Sequence, residues 1–192
     1  MERIKEILLN PLIAINKAKK EKDLNKTLLI LILSWILVGL SFILVFYKTT
    51  TILMAFGSAL TVFLFGILFS IFYSYIANII MNILGGKGKY YESLTAATYS
   101  SLPISFGILL TAIISSINSM LGGFLGFIII AITAALSLSI YFKAIKEFYL
   151  TDMLTTFVGF LIIIYVFIIA VYVSVAFSMS STFFSNFQFK IF

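Results

Sequence analysis

The chain has 192 residues, of which 62% are hydrophobic and 10% are charged, and its net charge is +6. Soluble domains carry about 25% charged residues, so this composition excludes that class and favours a membrane protein. Cysteine and histidine are both absent, which excludes disulfides, imidazole metal sites and Ser-His catalysis within the chain; we expect neither a metal nor a cofactor.

The N-terminal segment, residues 1–26, predicts an amphipathic helix that lies on the inner membrane surface. Its apolar residues recur at steps of three or four, with charged residues between them: Ile4, Ile7, Leu8, Leu12 and Ile15. Asn10-Pro11 breaks or restarts this helix, because proline suits a first helical turn and disfavours helix at the residue before it. A solvated basic tail that only sets orientation is the alternative interpretation.

Four uncharged runs follow, each long enough for at least one membrane span of roughly 20 residues. They cover residues 27–47, 49–86, 93–142 and 153–189. The third run must fold back once, and SINSMLGG at residues 116–123 supplies the turn. We therefore predict an all-α membrane protein in which residues 27–192 form five transmembrane helices, at about 27–47, 52–84, 93–116, 122–142 and 153–178.

The distribution of Lys and Arg predicts the side of the membrane on which each loop lies. Seven lie in residues 1–26, two in 85–92 and two in 143–152, against one at Lys48, none in 116–123 and one at Lys190. Because basic loops stay inside, we expect a cytoplasmic N-terminus and an external C-terminus. Anionic lipid is the expected partner of the cytoplasmic face.

No Asp, Glu, Lys or Arg falls near the centre of a predicted span, which argues against proton-coupled transport and intramembrane catalysis. Small and weakly polar residues recur there instead and predict close helix packing. They are Gly66, Ser70, Ser74, Asn78 and Asn82 in the second span, Gly107 and Thr111 in the third, and the GxxxG pair Gly122 and Gly126 in the fourth. A polar cavity or pore lined by Asn78 and Asn82 is the alternative.

The stretch LGGKGKYYESLTAATYSSLP, residues 84–103, separates the second and third spans. A phosphate-binding loop needs a GxxxxGK[ST] spacing between a strand and a helix, so nucleotide binding is excluded, and no nucleic-acid partner is expected. Gly85 and Gly86 are predicted to end the second helix, and Gly88 to permit a tight reversal.

The residues after these glycines are predicted to meet the membrane surface. Lys87 and Lys89 would contact lipid phosphates, and Tyr90 and Tyr91 would anchor at the interface. Glu92-Ser93 would begin the third helix.

Pro103 lies inside the third predicted span. Proline removes an amide donor and crowds the carbonyl of Tyr99, so we expect a kink there. Ser100 and Ser101 are expected to satisfy the freed backbone groups.

Residues 84–103 resemble the central signature of the Yip domain family, the Ypt/Rab-interacting membrane proteins and their prokaryotic relatives. The shared features are a Gly-Gly-x-Gly turn, an aromatic residue, a small-residue helix start, a tyrosine and a Leu-Pro pair: Gly85, Gly86, Gly88, Tyr90, Ala96, Tyr99, Leu102 and Pro103. Asn10-Pro11 and the basic loop YFKAIKEFY are similar to the prokaryotic branch. The resemblance implies five membrane helices and a cytoplasmic N-terminus, here in a prokaryotic cytoplasmic membrane.

We therefore expect a non-enzymatic integral membrane protein that organises membrane or partner proteins through its cytoplasmic loops. Its protein partner is unspecified, and a homo-oligomer is left open. The alternative is a channel or transporter for a neutral or lipid-like solute, lined by Ser70, Ser74, Asn78, Asn82 and Thr111. A third interpretation is a subunit that acts only within a larger complex.

Overall fold

The computed structural model describes residues 2–48, 50–166 and 168–169, which contain helices and no strand. The helices are α1 (Glu2–Leu9), α2 (Pro11–Glu21), α3 (Leu24–Phe46), α4 (Ile52–Ile83), α5 (Tyr90–Ile117), α6 (Ser119–Tyr149) and α7 (Met153–Val166). Four of these, α3 to α6, are long and apolar enough to cross a membrane. The all-helical membrane class predicted from composition is therefore confirmed.

The fifth predicted span, residues 153–178, lies partly outside the described residues. Its described portion begins with α7, a shorter apolar helix at Met153–Val166. The predicted external C-terminus, with Lys190, also lies outside them. A count of five spans therefore stays a prediction.

Helix α5 occupies the centre of the bundle and packs against α6, α3 and α4, most extensively against α6. Glycines permit the close approach of α5 and α6. A Cβ atom on Gly107 would lie 2.2 Å from Thr133 Oγ1, and one on Gly126 would lie 2.4 Å from Thr111 Cγ2. Gly122 approaches Ser115 in the same way, with 2.2 Å to its Oγ. Small residues in lipid act by letting backbones come this close.

Helix α6 extends beyond the predicted 122–142 at both ends. Asn118 caps its beginning, because Asn118 Oδ1 accepts hydrogen bonds from the amides of Met120 and Leu121 at 3.0 and 3.1 Å. Gly122 and Gly123 therefore lie inside the helix and not in a turn. At the other end, the stretch YFKAIKEFY is helical as far as Tyr149. Its charges led us to predict a loop there, and that prediction is wrong.

Helix α5 begins at Tyr90, before the predicted start at Glu92-Ser93. The carboxylate of Glu92 reaches back and accepts a hydrogen bond from the amide of Lys89, so Glu92 closes the first turn from within the helix.

The helix runs through Pro103 to Ile117. The hydroxyls of Ser100 and Ser101 donate to the carbonyls of Ala97 and Thr98 at 2.9 and 2.8 Å. Each hydroxyl has one hydrogen to donate, so neither serine donates to the Tyr99 carbonyl that Pro103 leaves without its amide partner. The prediction that these serines satisfy the freed carbonyl is therefore wrong.

Candidate functional site

The end of α4 is closed by a glycine-centred cap. Gly85 has a φ of +87°, a left-handed conformation that residues with a side chain rarely adopt. The amide of Gly86 donates to the carbonyl of Met81 at 2.9 Å, and the amide of Gly85 to that of Asn82 at 3.1 Å. This pair of bonds is a Schellman motif, which satisfies the last carbonyls of the helix and turns the chain. Residues 84–89 are called the glycine loop below.

Tyr149, the last residue of α6, packs against the glycine loop and is hydrogen-bonded to it. A Cβ atom on Gly86 would lie 2.8 Å from Tyr149 Cδ1, and one on Gly88 would lie 2.6 Å from it. The amide of Lys87 donates to the carbonyl of Tyr149 at 3.0 Å. The tyrosine hydroxyl donates to Asn78 Oδ1 on α4 at 2.8 Å. One buried side chain thus joins the loop, α4 and α6.

The side chains of the glycine loop divide between the protein and its surroundings. Gly88 is buried, whereas Lys87 and Lys89 are exposed. Tyr90 turns back onto α4, where its hydroxyl donates to the carbonyl of Ile71 at 3.2 Å and its ring meets that of Tyr75 edge-on. Lys87 and Lys89 thus extend outward from a loop whose backbone is fixed by its contacts with Tyr149.

The N-terminal helix pair, α1 and α2, packs against this end of the bundle. α2 begins at Pro11, where the sequence predicted a break or restart. The apolar stripe predicted to face lipid is divided: Ile7 and Ile15 are fully buried against the protein, whereas Leu8 and Leu12 are exposed. The buried residues of the pair share one core cluster with Tyr99 and Tyr149, and they are Ile7, Ala14, Ile15 and Ala18.

Ion pairs hold the N-terminal helix pair together. Glu21 Oε2 accepts hydrogen bonds from Arg3 Nη2 at 2.7 Å and from Lys26 Nζ at 3.0 Å. Lys17 Nζ donates to Glu6 Oε1. The hydrogen bond from Lys26, and to a smaller extent the charge of Arg3, lowers the pKa of the Glu21 carboxyl below its ordinary value of 4.5.

Three contacts bring the separate basic segments to one end of the bundle. Lys22 Nζ lies 3.9 Å from the buried carboxylate of Glu92, and Lys19 Nζ donates to the carbonyl of Glu147. The bond between the Lys87 amide and Tyr149 is the third. Exposed lysines of these segments form what we call the basic surface, which comprises Lys20, Lys22, Lys87, Lys89 and Lys143. At the other end of the bundle, Lys48 Nζ donates to the carbonyl of Ser116.

The residues predicted to line a polar pore do not share one cavity. Ser70 lines a cavity of about 420 Å³ between the helices, together with Trp35, Tyr73 and Tyr141, and Thr111 lines a different one of about 310 Å³. The hydroxyls of Ser70 and Ser74 donate within α4, to the carbonyls of Gly66 and Ser70 at 2.9 and 2.6 Å.

The two asparagines of the predicted pore do not line the cavity of about 420 Å³ that Ser70 lines. Asn78 is held by Tyr149, as described above, and Asn82 is exposed near the end of α4.

Sequence reasoning missed Tyr149 and the N-terminal ion pairs as parts of this site. Tyr149 was visible only as the last residue of a basic stretch, with no local feature to connect it to glycines about 60 residues earlier. Arg3 and Glu21 are 18 residues apart. On one continuous helix they would lie about 27 Å apart, so only the chain reversal at Asn10-Pro11 brings them together.

A family model described as the Yip1 domain matches residues 5–185, which include most of the N-terminal helix pair, the glycine loop and Tyr149. No curated protein and no solved structure matches the chain.

Proposed function

Because this chain belongs to the Yip1 domain family, we propose that it is a non-enzymatic protein that organises membrane or partner proteins through its basic surface. The family match confirms the resemblance seen in residues 84–103, and with the four apolar helices it makes the chain an integral membrane protein. The basic surface then lies in the cytoplasm and contacts anionic lipid, and the membrane is a prokaryotic cytoplasmic membrane.

The observation that carries the proposal is the fixed position of the glycine loop, which supplies two lysines of the basic surface. Its backbone is tied to α6 through the Lys87 amide and packed on the Tyr149 ring, so little chain entropy is lost when a ligand binds. Each exposed lysine near an anionic bilayer contributes roughly 1 kcal/mol of attraction. Lys87 and Lys89 are both exposed, and neither has an acidic side-chain partner within the described residues.

Vesicle capture tests this function. The protein is placed in phosphatidylcholine nanodiscs, and capture of phosphatidylglycerol-rich vesicles is compared with capture of pure phosphatidylcholine vesicles. We expect Lys87→Gln/Lys89→Gln to reduce capture of anionic vesicles several-fold and to leave the thermal stability of the bundle unchanged. A matched variant with the same charge change, Lys48→Gln/Lys190→Gln, should capture them as the parent does. Equal loss in both variants would show only a net-charge effect and would refute the role of the loop.

Cysteine labelling tests the proposed side of the membrane. Because the chain has no cysteine, single Lys89→Cys and Lys48→Cys variants each carry one thiol. A membrane-impermeant maleimide applied to intact cells should label Lys48→Cys, and should label Lys89→Cys only after the membrane is opened. The reverse pattern would place the basic surface outside and contradict the proposal.

A further inference from the structure

A cleft of about 570 Å³ opens between the N-terminal helix pair and the beginning of α3. We call it the N-terminal cleft, and its two sides differ in chemistry. This volume falls in the range of sites that hold small ligands, about 300–1,000 Å³. The cleft is separate from the glycine loop, none of whose residues line it.

One side of the N-terminal cleft is apolar and belongs to a candidate membrane span. It is formed by Leu29, Ile30 and Leu33 in the first turns of α3. Ile30 is buried, but Leu29 is 66% exposed, so this wall continues into the outer surface of the bundle. A hydrocarbon chain lying along α3 would therefore cover apolar surface that the protein itself leaves uncovered.

The other side of the cleft is charged and carries both signs. Three cations, Arg3, Lys17 and Lys26, alternate with two carboxylates, Glu6 and Glu21. Arg3 is the inner member, with a side chain only 13% exposed and directed at Glu21. The Lys17 and Lys26 side chains are 49% and 52% exposed, and that of Glu21 is 41% exposed. These three outer groups remain accessible to a ligand.

The mixture of charges selects among lipid headgroups. An anionic headgroup would gain contacts with the lysines but would face Glu6 and Glu21 as well. A zwitterionic headgroup pairs with both signs, because its phosphate meets Lys17 and Lys26 while its cationic end meets Glu21. A primary ammonium donates charge-assisted hydrogen bonds to a carboxylate, and a quaternary ammonium has no N–H with which to do so.

We propose that the N-terminal cleft binds one glycerophospholipid with a zwitterionic, primary-amine headgroup, of the phosphatidylethanolamine type. Its phosphate lies between Lys17 and Lys26, its ammonium group donates to Glu21, and one acyl chain follows Leu29 and Leu33 along α3. The Arg3–Glu21 pair forms the back of the site. This inference extends the proposed function to a second lipid contact but uses none of the residues that test the first.

Native mass spectrometry of the full chain in mild detergent tests the site. Phosphatidylethanolamine, phosphatidylcholine and phosphatidylglycerol with identical acyl chains are added in turn. We expect one phosphatidylethanolamine to be retained several-fold more than either competitor. Equal retention of the three lipids would overturn the proposal, as would preference for phosphatidylglycerol.

Two variants locate the bound lipid. Glu21→Gln removes the negative charge that pairs with the ammonium group and should lower phosphatidylethanolamine retention to the level of phosphatidylcholine, whereas Glu147→Gln should not. Because Glu21 also pairs with Arg3, its loss affects the helix pair, so a second variant leaves every ion pair intact. Leu29→Trp fills the apolar wall and should also abolish the preference, while Leu64→Trp, on the exposed side of α4, should preserve it. A preference that survives Leu29→Trp would overturn the assignment to this cleft.

The two lipid proposals fail separately. Lys87→Gln/Lys89→Gln should leave phosphatidylethanolamine retention unchanged, and Leu29→Trp should leave capture of anionic vesicles unchanged. Loss of one property without the other identifies which surface was assigned incorrectly.

Discussion

The ring of Tyr149 lies where a side chain on Gly88 would have to be, with only 2.6 Å between Cδ1 of the ring and a Cβ atom at that position. Gly88 does not have the positive φ of Gly85, so its requirement is for space and not for an unusual backbone conformation. The glycines of the family signature thus serve two purposes: Gly85 turns the chain, while Gly86 and Gly88 make room for Tyr149.

Replacing Gly88 with alanine should destabilise the glycine loop. The new methyl group would overlap the Tyr149 ring, and overpacking of this kind typically costs about 1–3 kcal/mol. Thermal unfolding in detergent micelles measures the loss. Gly123→Ala is the matched control, because a Cβ atom there meets nothing within 4 Å. Equal stability of the two variants would show that Tyr149 moves aside without cost.

The hydrogen bond between Tyr149 and Asn78 should contribute measurable coupling. Its donor–acceptor distance of 2.8 Å is favourable, and polar bonds between membrane helices contribute roughly 0.5–1.5 kcal/mol. A double-mutant cycle with Tyr149→Phe and Asn78→Ala isolates this energy. Tyr149→Phe combined with Thr61→Ala should be additive, since Thr61 donates only within α4. Additivity in both cycles would contradict the bond.

Gly66 should control the environment of Trp35, the only tryptophan in the chain. A Cβ atom on Gly66 would lie 2.1 Å from Trp35 Cε3, and the indole Nε1 donates to Ser70 Oγ at 2.9 Å. Gly66→Ala should therefore displace the ring, break this bond and shift the tryptophan emission maximum. Gly57→Ala, with nothing within 4 Å of the new Cβ, should leave the emission unchanged. An unchanged spectrum in Gly66→Ala would disprove the contact.

The N-terminal helix pair should loosen at acidic pH. The pKa of Glu21 is lowered in the folded protein, so its stabilising effect is complete above the ordinary value of 4.5 and is lost as the pH falls through the lowered pKa. Spin labels on Lys5→Cys and Lys20→Cys measure the distance between α1 and α2. We expect the distance distribution to broaden below pH 4.5, and Glu21→Gln to remove Glu21's share of that change. A pH response identical in Glu21→Gln would assign it to another group.

Helix positions followed closely from the sequence where charge and hydropathy change abruptly. α3 and α4 lie near the predicted 27–47 and 52–84 because charged residues or glycines bound them. α6 was less well predicted at both ends. Asn118 caps it before the glycines that predicted a turn, and its last turns carry lysines, which predicted a loop. Charge marks where a chain leaves the hydrocarbon, and a helix continues beyond that point whenever protein covers it.

The amino-acid sequence by itself determined that this protein is surrounded by lipid, that it is helical, and to which family it belongs. Uncharged runs longer than a bilayer is thick leave the backbone no alternative but internal hydrogen bonding, whatever the neighbouring helices do. Only the tertiary structure decided which distant residues meet: Tyr149 with Asn78, which are 71 positions apart, and the N-terminal helices with the end of the bundle. Such contacts depend on the shapes of packed helices, and lipid-facing and protein-facing apolar residues look alike in a hydropathy pattern.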